Sequence, residues 1–407
     1  MPNVKATKAL QKRCDAALES FHKYYSTIYG EERWNDSLFP ALSQATRHCA
    51  LMNLFGNMGK LEAKFEEAIS RKLSYDCRLS SLNAIDECHE PRILSGFAHH
   101  ALPDREMVDA LQKQETWQVS SHWFMDLASI LAARMLQVKP GEKVLDLCAA
   151  PGGKSLVLAQ MLFPEHHYGE QVSAAGHPSS VLHSNEVDRN RNKRLASNLK
   201  AYLPQALYTD RNAIKILQLD GAAKQAVQEL PLGENGYDKV LLDAPCSSER
   251  HIVHSHLAAT SAGQVSEEMA NWKASHTKTL AKQQLALLMT ALRAVKPGGS
   301  VLYATCSIST EENDGVVDRM FEAVKRERKK NALAWKVQVE KRLEEQAASR
   351  NTLDRLSEVT THGRIILPDH AGGDKWGPMY FCLLRKLHSR VSAGLEKLDN
   401  EQEDAPI

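Results

Sequence analysis

The sequence predicts a doubly wound α/β domain, a mostly parallel sheet with helices on both faces, preceded by a helical N-terminal region. Three observations predict it. Short apolar runs alternate with helical periodicities between about residues 144 and 304, the pattern of successive βαβ units with right-handed crossovers. The runs end in polar residues, Asp146, Asn185-Glu186, Asp220, Asp243 and Thr305, and open α/β sheets gather ligands at the carboxyl ends of their strands. The first run also opens into the small-residue turn Cys148-Ala149-Ala150-Pro151-Gly152-Gly153 before a helix, where backbone can approach a bound molecule and helix amides can meet an anion.

Through residues 1–90, apolar positions recur at three- and four-residue steps over Ala9–Tyr29 and Ala41–Phe55, and Gly30 and Gly56 stand where helices would stop. Lys5, Lys8, Lys12 and Arg13 precede the first acid, Asp15, a bias shared by organelle transit peptides and basic helix starts. Residues 91–120 are irregular and read as a linker. A helix is expected over Phe124–Gln137, stopping before Lys139-Pro140-Gly141. Strands are then expected at Val144-Leu145, Val181-Leu182, Ile214–Leu219, Lys239–Leu242 and Val301–Ala304, with helices over Leu156–Leu162, Asn190–Tyr202 and Lys278–Val295. A helix after Glu312 carries Lys325, Arg326, Arg328, Lys329 and Lys330, and a second charged helix spans Leu333–Glu358. Two strands, Arg364–Leu367 and Met379–Leu384, complete a domain of residues 121–387, and residues 388–407 form a flexible polar tail.

Composition narrows the class. With 51 Lys and Arg against 50 Asp and Glu among 407 residues and 43% hydrophobic content, disorder, collagen and coiled coil are excluded for the bulk of the chain. The apolar stretches fall far short of the roughly 20 residues of a membrane span, so no membrane association is expected. A net charge of +1 means that any polyanion would meet a local patch. The eight cysteines are scattered without a C-x-x-C pair, as reduced thiols of an intracellular compartment would be.

The turn after Asp146 follows neither the G-x-G-x-x-G nor the Walker spacing, which argues against a dinucleotide or ATP. Glu186 at the next strand end suits the two hydroxyls of a ribose, and Asp220 at the third suits an adenine amino group. A phosphate-free nucleoside with a carboxylate end, S-adenosylmethionine, fits this set. Two cysteines, in Asp243-Ala244-Pro245-Cys246 and Thr305-Cys306-Ser307, end what would be the fourth and fifth strands, which neighbour each other at about 4.8 Å. Two thiols beside a methyl donor suit methylation of pyrimidine C5. A thiolate adding at C6 makes C5 nucleophilic, an acid near N3 supports the addition, and a base must later remove the C5 proton. The residues alone leave either cysteine as the nucleophile.

The joint pattern of residues 146–154, Asn185-Glu186, Asp243–Ser248, Lys296–Gly299, Thr305–Ser307 and Trp376–Tyr380 resembles the Nop2/Sun RNA cytosine-5 methyltransferases over roughly residues 120–387. Phe21–Tyr25 and Leu51–Asn53 look most like the compact mitochondrial members acting on transfer or ribosomal RNA. The resemblance implies a Rossmann-like class I methyltransferase fold and S-adenosylmethionine as cofactor. It implies Cys306 as nucleophile on C6, Cys246 assisting release, and Asp243 bonding cytosine N3 and its amino group with Lys154 nearby. Cys148, Ala149, Ala150, Pro151, Gly152, Gly153 and Lys154 would hold the methionine end, and Glu186, Asp220 and Asp243 would complete the cofactor site. It further implies an N-terminal RNA-binding or accessory region, an RNA partner, a monomer with room for a protein that supplies RNA affinity, and a mitochondrial home, with nucleus and cytosol as alternatives.

Candidate RNA contacts are Arg189, Arg191, Lys193 and Arg194 and the run from Lys325 to Lys330, and His251, His254 and His256 could line the substrate mouth. The stretch 165–184, with His166, His167, His177 and His183, has no regular ligand spacing and reads as a solvated loop, so no metal is expected. The segment 331–360 is a charged insert without an inferred role. The rival function is an RNA- or ribosome-assembly factor that keeps the fold without the chemistry; a protein or small-molecule methyltransferase is disfavoured because nitrogen and oxygen acceptors need no thiol pair.

Overall fold

The computed structural model describes residues 8–56, 79–81, 92–94, 119–168, 179–209, 212–330, 333–340, 353–371 and 375–388. Helix α1 (Lys8–Tyr29) buries Cys14, Ala17, Phe21 and Tyr25, a helical stripe of three- and four-residue steps. Phe21 and Tyr25 pack with Trp34 and Trp272 in one aromatic cluster.

Strands β1 (Cys49–Met52), β2 (Leu79–Ser81), β3 (Arg92–Leu94) and β4 (His122–Met125) form an antiparallel sheet in the order β2-β3-β1-β4. Two expectations are corrected here. The helical pattern over Ala41–Phe55 gives way to strand β1, whose four residues are all buried; a short run buried on every side carries no period, and pairing with β4 decides its conformation. Pairing with β1 likewise places Phe124 in β4, and helix α2 (Leu127–Arg134) starts only after Asp126, whose carboxylate accepts Ala128 N–H at 2.8 Å as the N-cap.

The main sheet follows in regular alternation: β5 (Lys143–Asp146), α3 (Gly153–Leu162), β6 (Val181–Asn185), α4 (Arg189–Tyr202), β7 (Ile214–Leu217), β8 (Tyr237–Asp243), α5 (Glu249–Ser261), α6 (Glu267–Asn271), α7 (Ala274–Ala294), β9 (Val295–Thr305) and α8 (Asp314–Lys329). Strands β7-β6-β5-β8-β9 are parallel neighbours in that order. The order reverses between β5 and β8, the switch point at which such sheets bind ligands. A third expectation fails in residues 333–358. Trp335–Val339 is not helical but strand β10, antiparallel to β13 (Met379–His388), because Trp335 needs a buried place against the sheet; residues 341–352 lie outside the described residues. β11 (Glu358–Val359) and β12 (Arg364–Ile366) complete the antiparallel side. Behind α1, the Arg33 guanidinium forks onto Glu358 and Asp369 and ties the N-terminal helices to this side of the sheet.

Candidate active site

The parallel strands bring their carboxyl ends to one edge. On its cofactor half, the turn after β5 is held mainly by backbone. Ala149 N–H donates to Asn185 O at 2.8 Å, Leu147 N–H to Leu241 O at 2.9 Å, and Glu186 N–H to Leu217 O at 3.2 Å. Asn185 staples three strand ends: its Nδ2 donates to Leu147 O at 3.0 Å and Leu219 O at 3.1 Å, and its Oδ1 accepts Leu219 N–H at 3.0 Å. Helix α4 fixes the turn from outside, Arg191 donating to Ala150 O and Asn198 to Pro151 O. Gly152 has φ +120°, and a Cβ there would press on Leu195 and Leu199; at Gly153 a Cβ would meet Trp123 Nε1 at 2.9 Å. Only glycine admits both the conformation and the packing.

The acids expected to hold a nucleoside lie where the strand ends place them. Glu186 is buried, accepts Asp188 N–H at 2.9 Å and pairs with Arg191 at 3.3 Å. Asp220 lies three residues beyond β7, exposed, capping Ala222 N–H at 2.9 Å. Sequence reasoning missed a third acceptor. Asp146 takes the Ser155 hydroxyl on Oδ2 at 2.7 Å, while its Oδ1 is buried without a hydrogen-bond partner; burial pushes the carboxyl up to about 7. A buried oxygen awaiting a donor beside a small-residue turn fits the cationic methionine end of S-adenosylmethionine, so the residues present suit that cofactor.

The thiol half lies next door. Asp243 ends β8 in register with Ala304 of β9, and Cys246 and Cys306, 60 residues apart, meet with Sγ atoms 3.1 Å from each other. Ser248, held at φ 53°, places its Oγ 3.2 Å from Cys306 Sγ and 3.5 Å from Cys246 Sγ. The hydrogen bond from Cys246 lowers the Cys306 thiol against the pull of burial, with Ser248 helping, and the same bond together with burial raises Cys246. The pair is thus polarised into one thiolate-prone and one proton-holding sulfur. Lys154 Nζ donates to Asp243 at 2.7 Å and lies 3.2 Å from Ser129 Oγ; burial works against its charge, but Asp243 more than offsets this and raises it. That ion pair joins the two halves. Lys154, Asp243, Cys246 and Cys306 therefore converge, whereas Glu186 and Asp220 line the adjacent cofactor strands.

Other candidates sort by position. Arg189, Arg191, Lys193 and Arg194 begin α4, directly after the catalytic edge. Helix α8 starts near that edge but runs away from it for 16 residues, about 24 Å, and its Glu327 pairs with Arg293 just before β9 begins. The Lys325–Lys330 run therefore sits at the opposite edge. His251 is exposed beside Glu268, His254 meets Gln44 O at 2.9 Å, and His256 lies 3.8 Å from Cys14. The solvated-loop expectation for 165–184 fails at His183, which is buried in β6 against Tyr237 Oη at 2.7 Å, and at His167, bonded to Gln160 O; His177 lies outside the described residues. Among the described residues no three His, Cys, Asp or Glu are grouped to hold a metal, and no helix is long and apolar enough to cross a membrane. Sequence reasoning also missed Glu249 and Glu312, fully buried behind the thiols.

Comparison with known proteins identifies the family. A family model described as 16S rRNA methyltransferase RsmB/F matches residues 133–381, more than half of the chain. A mitochondrial tRNA (cytosine(34)-C(5))-methyltransferase of Danio rerio is 31% identical over 388 residues, 94% of this chain and 90% of that protein. The 5-cytosine rRNA methyltransferase NSUN4 of Mus musculus is 29% identical over 391 residues, 91% and 88% of the two chains. Among solved structures, a methyltransferase homologue from Pyrococcus horikoshii shares the fold with TM-score 0.55 at 19% identity, covering 94% of this chain and all of that one. NSun6 from the same organism, solved with SFG, aligns with TM-score 0.55 at 16% identity over 90% and 98%.

Proposed function

The chain belongs to the RsmB/F (Nop2/Sun) family of S-adenosylmethionine-dependent RNA cytosine-5 methyltransferases, and from that premise we propose that it methylates a cytosine of transfer or ribosomal RNA through a covalent Cys306 adduct. The observation that carries this reading is the thiol pair 3.1 Å apart at the carboxyl ends of β8 and β9, beside Asp243. When bound, S-adenosylmethionine supplies the electrophilic methyl group. Cys306 Sγ adds to C6 of a cytosine turned out of its stack, breaking the C5–C6 double bond and making C5 nucleophilic. Asp243 accepts from the exocyclic amine and passes a proton to N3 as the thiolate adds, so that no negative charge is left on the ring, and Lys154 holds the resulting carboxylate. Once C5 has taken the methyl group, Cys246, no longer bonded to a free Cys306 thiol and now acting as a thiolate, takes the C5 proton; the C5–H electron pair re-forms the C5–C6 double bond, and the C6–S bond breaks to release Cys306. Asp146, Glu186, Asp220 and residues 148–154 hold the cofactor.

Arg189, Lys193 and Arg194 at the catalytic edge suit RNA phosphates. Residues 1–90 serve as an accessory or RNA-binding region and residues 121–387 as the catalytic domain. The relatives named as mitochondrial support a mitochondrial home, which localisation of a C-terminally tagged full chain tests.

The deciding experiment is tritium transfer from labelled S-adenosylmethionine to total cellular RNA, followed by denaturing gels. Wild type labels RNA, Cys306→Ala does not, and Cys246→Ala leaves a slow-migrating protein–RNA band because release fails. An unimpaired Cys306→Ala enzyme sinks the mechanism. Cofactor and RNA binding without label from any variant would favour the assembly-factor reading.

A further inference from the structure

The residue after each cysteine leads to a buried carboxyl pair. Ser247 and Ser307 lie 3.0 Å apart through their hydroxyls. Ser247 Oγ sits between two carboxyl oxygens, in short contact with Glu249 Oε1 and 2.5 Å from Glu312 Oε1. Ser307 Oγ faces the same two atoms at 3.1 and 3.2 Å. Both glutamates are fully buried.

Proton counting fixes the state of this cluster. A serine hydroxyl carries one proton, so Ser247 can donate to one of its two close carboxyl oxygens; the other contact requires a proton on the carboxyl group itself. Glu249 is the better supplied with donors. Tyr25 of α1 donates to Oε1 at 2.6 Å and Ile308 N–H to Oε2 at 3.1 Å. Glu312 Oε2 accepts Ser247 N–H at 3.1 Å and Gln284 Nε2 at 2.8 Å, which leaves Oε1 to carry the proton toward Ser247. Burial and the neighbouring Glu249 both push the Glu312 carboxyl upward.

We propose that Glu249 and Glu312 share one proton through Ser247 and act as positioning residues that hold the Cys246 and Cys306 loops in register. Glu249 also ties these loops to Tyr25, so the N-terminal helix stabilises the geometry of the thiols without reaching them. The catalytic consequence rests on the two-thiol reading of the function; the proton itself does not.

The test uses the full chain in two arms. In the first, infrared spectra of ¹³C-glutamate-labelled protein at neutral pH show the band of a protonated carboxyl group in wild type and in Cys306→Ala, and lose it in Glu312→Gln. A wild-type spectrum without that band overturns the shared proton. In the second, Glu312→Ala lowers kcat for methyl transfer by about 30-fold with KM for S-adenosylmethionine little changed, as loosened thiol placement requires. Glu312→Gln regains at least about tenfold of that loss, because its amide N–H replaces the carboxyl O–H toward Ser247 while its carbonyl keeps the Ser247 and Gln284 donors. Glu312→Gln no better than Glu312→Ala overturns the positioning role. Should wild type label no RNA at all, the function proposed above fails instead, and Cys306 alkylation by iodoacetamide, slowed in Glu312→Ala and restored in Glu312→Gln, still decides this inference.

Discussion

The two halves of the catalytic edge are built from different materials. The cofactor half centres on one consecutive run, the turn 147–153, held by backbone bonds, by Asn185 and by α4. The thiol half rests on residues scattered over the chain, Tyr25, Ser247, Glu249, Gln284, Ser307 and Glu312, joined through buried side chains. A ligand recognised mainly by shape and charge needs a rigid backbone cradle. The two-thiol chemistry proposed above needs tuned polar surroundings, and a low-dielectric interior makes these costly to leave unpaired.

The largest effect that separates the halves is at Cys306. Its replacement by Ala should lower methyl transfer by more than about a thousandfold while S-adenosylmethionine binding, read by calorimetry, stays within a few-fold. A matching loss of cofactor binding would show that the halves are not independent. Asp243→Asn, which removes the carboxylate from both Lys154 and the base, should cost about 100-fold in kcat, measured with saturating cofactor and RNA.

The pH profile sharpens the same contrast. Because Cys306 is held below its ordinary value by the bond from Cys246, kcat/KM should rise with pH as the thiolate forms, with the midpoint of that rise below that of a free cysteine. In Cys246→Ala, rapid-quench measurement of adduct formation should show this limb moved to higher pH; an unmoved limb would deny that Cys246 polarises Cys306.

Effects on the cofactor half should be smaller and appear in stability and affinity. Asn185→Ala leaves Leu147 O, Leu219 O and Leu219 N–H without their partner, a loss of about 2–3 kcal/mol that thermal unfolding and cofactor titration would both register. The smallest effect concerns RNA. Replacing Arg189, Lys193 and Arg194 by Ala should flatten the salt dependence of RNA binding by about two in slope, whereas the same change at Lys325, Lys329 and Lys330 should leave it intact.

Much of this was legible in the chain. The alternation of strands and helices, the turn at 148–153 and the strand-end positions of Asp243, Cys246 and Cys306 all lie in local pattern, and local pattern is what periodicity and small-residue turns encode. The failures share a cause. Cys49–Met52 and Trp335–Val339 are short segments whose conformation is chosen by partners distant in sequence, β4 and β13. Asp146 was visible as a strand end, yet its unpartnered oxygen depends on which donors the fold leaves out.

By itself, then, the sequence determined the α/β class, the order of the strands' chemical termini and the identity of the two thiols, because each is written in consecutive residues. Only the tertiary structure decided that the two sulfurs meet at 3.1 Å, that the Lys325–Lys330 run faces away from the carboxyl ends of the parallel strands, and that Tyr25, Glu249 and Glu312 stand behind the cysteines. Those outcomes depend on distances of a few ångströms between residues tens to hundreds of positions apart, and buried electrostatics changes steeply over such distances.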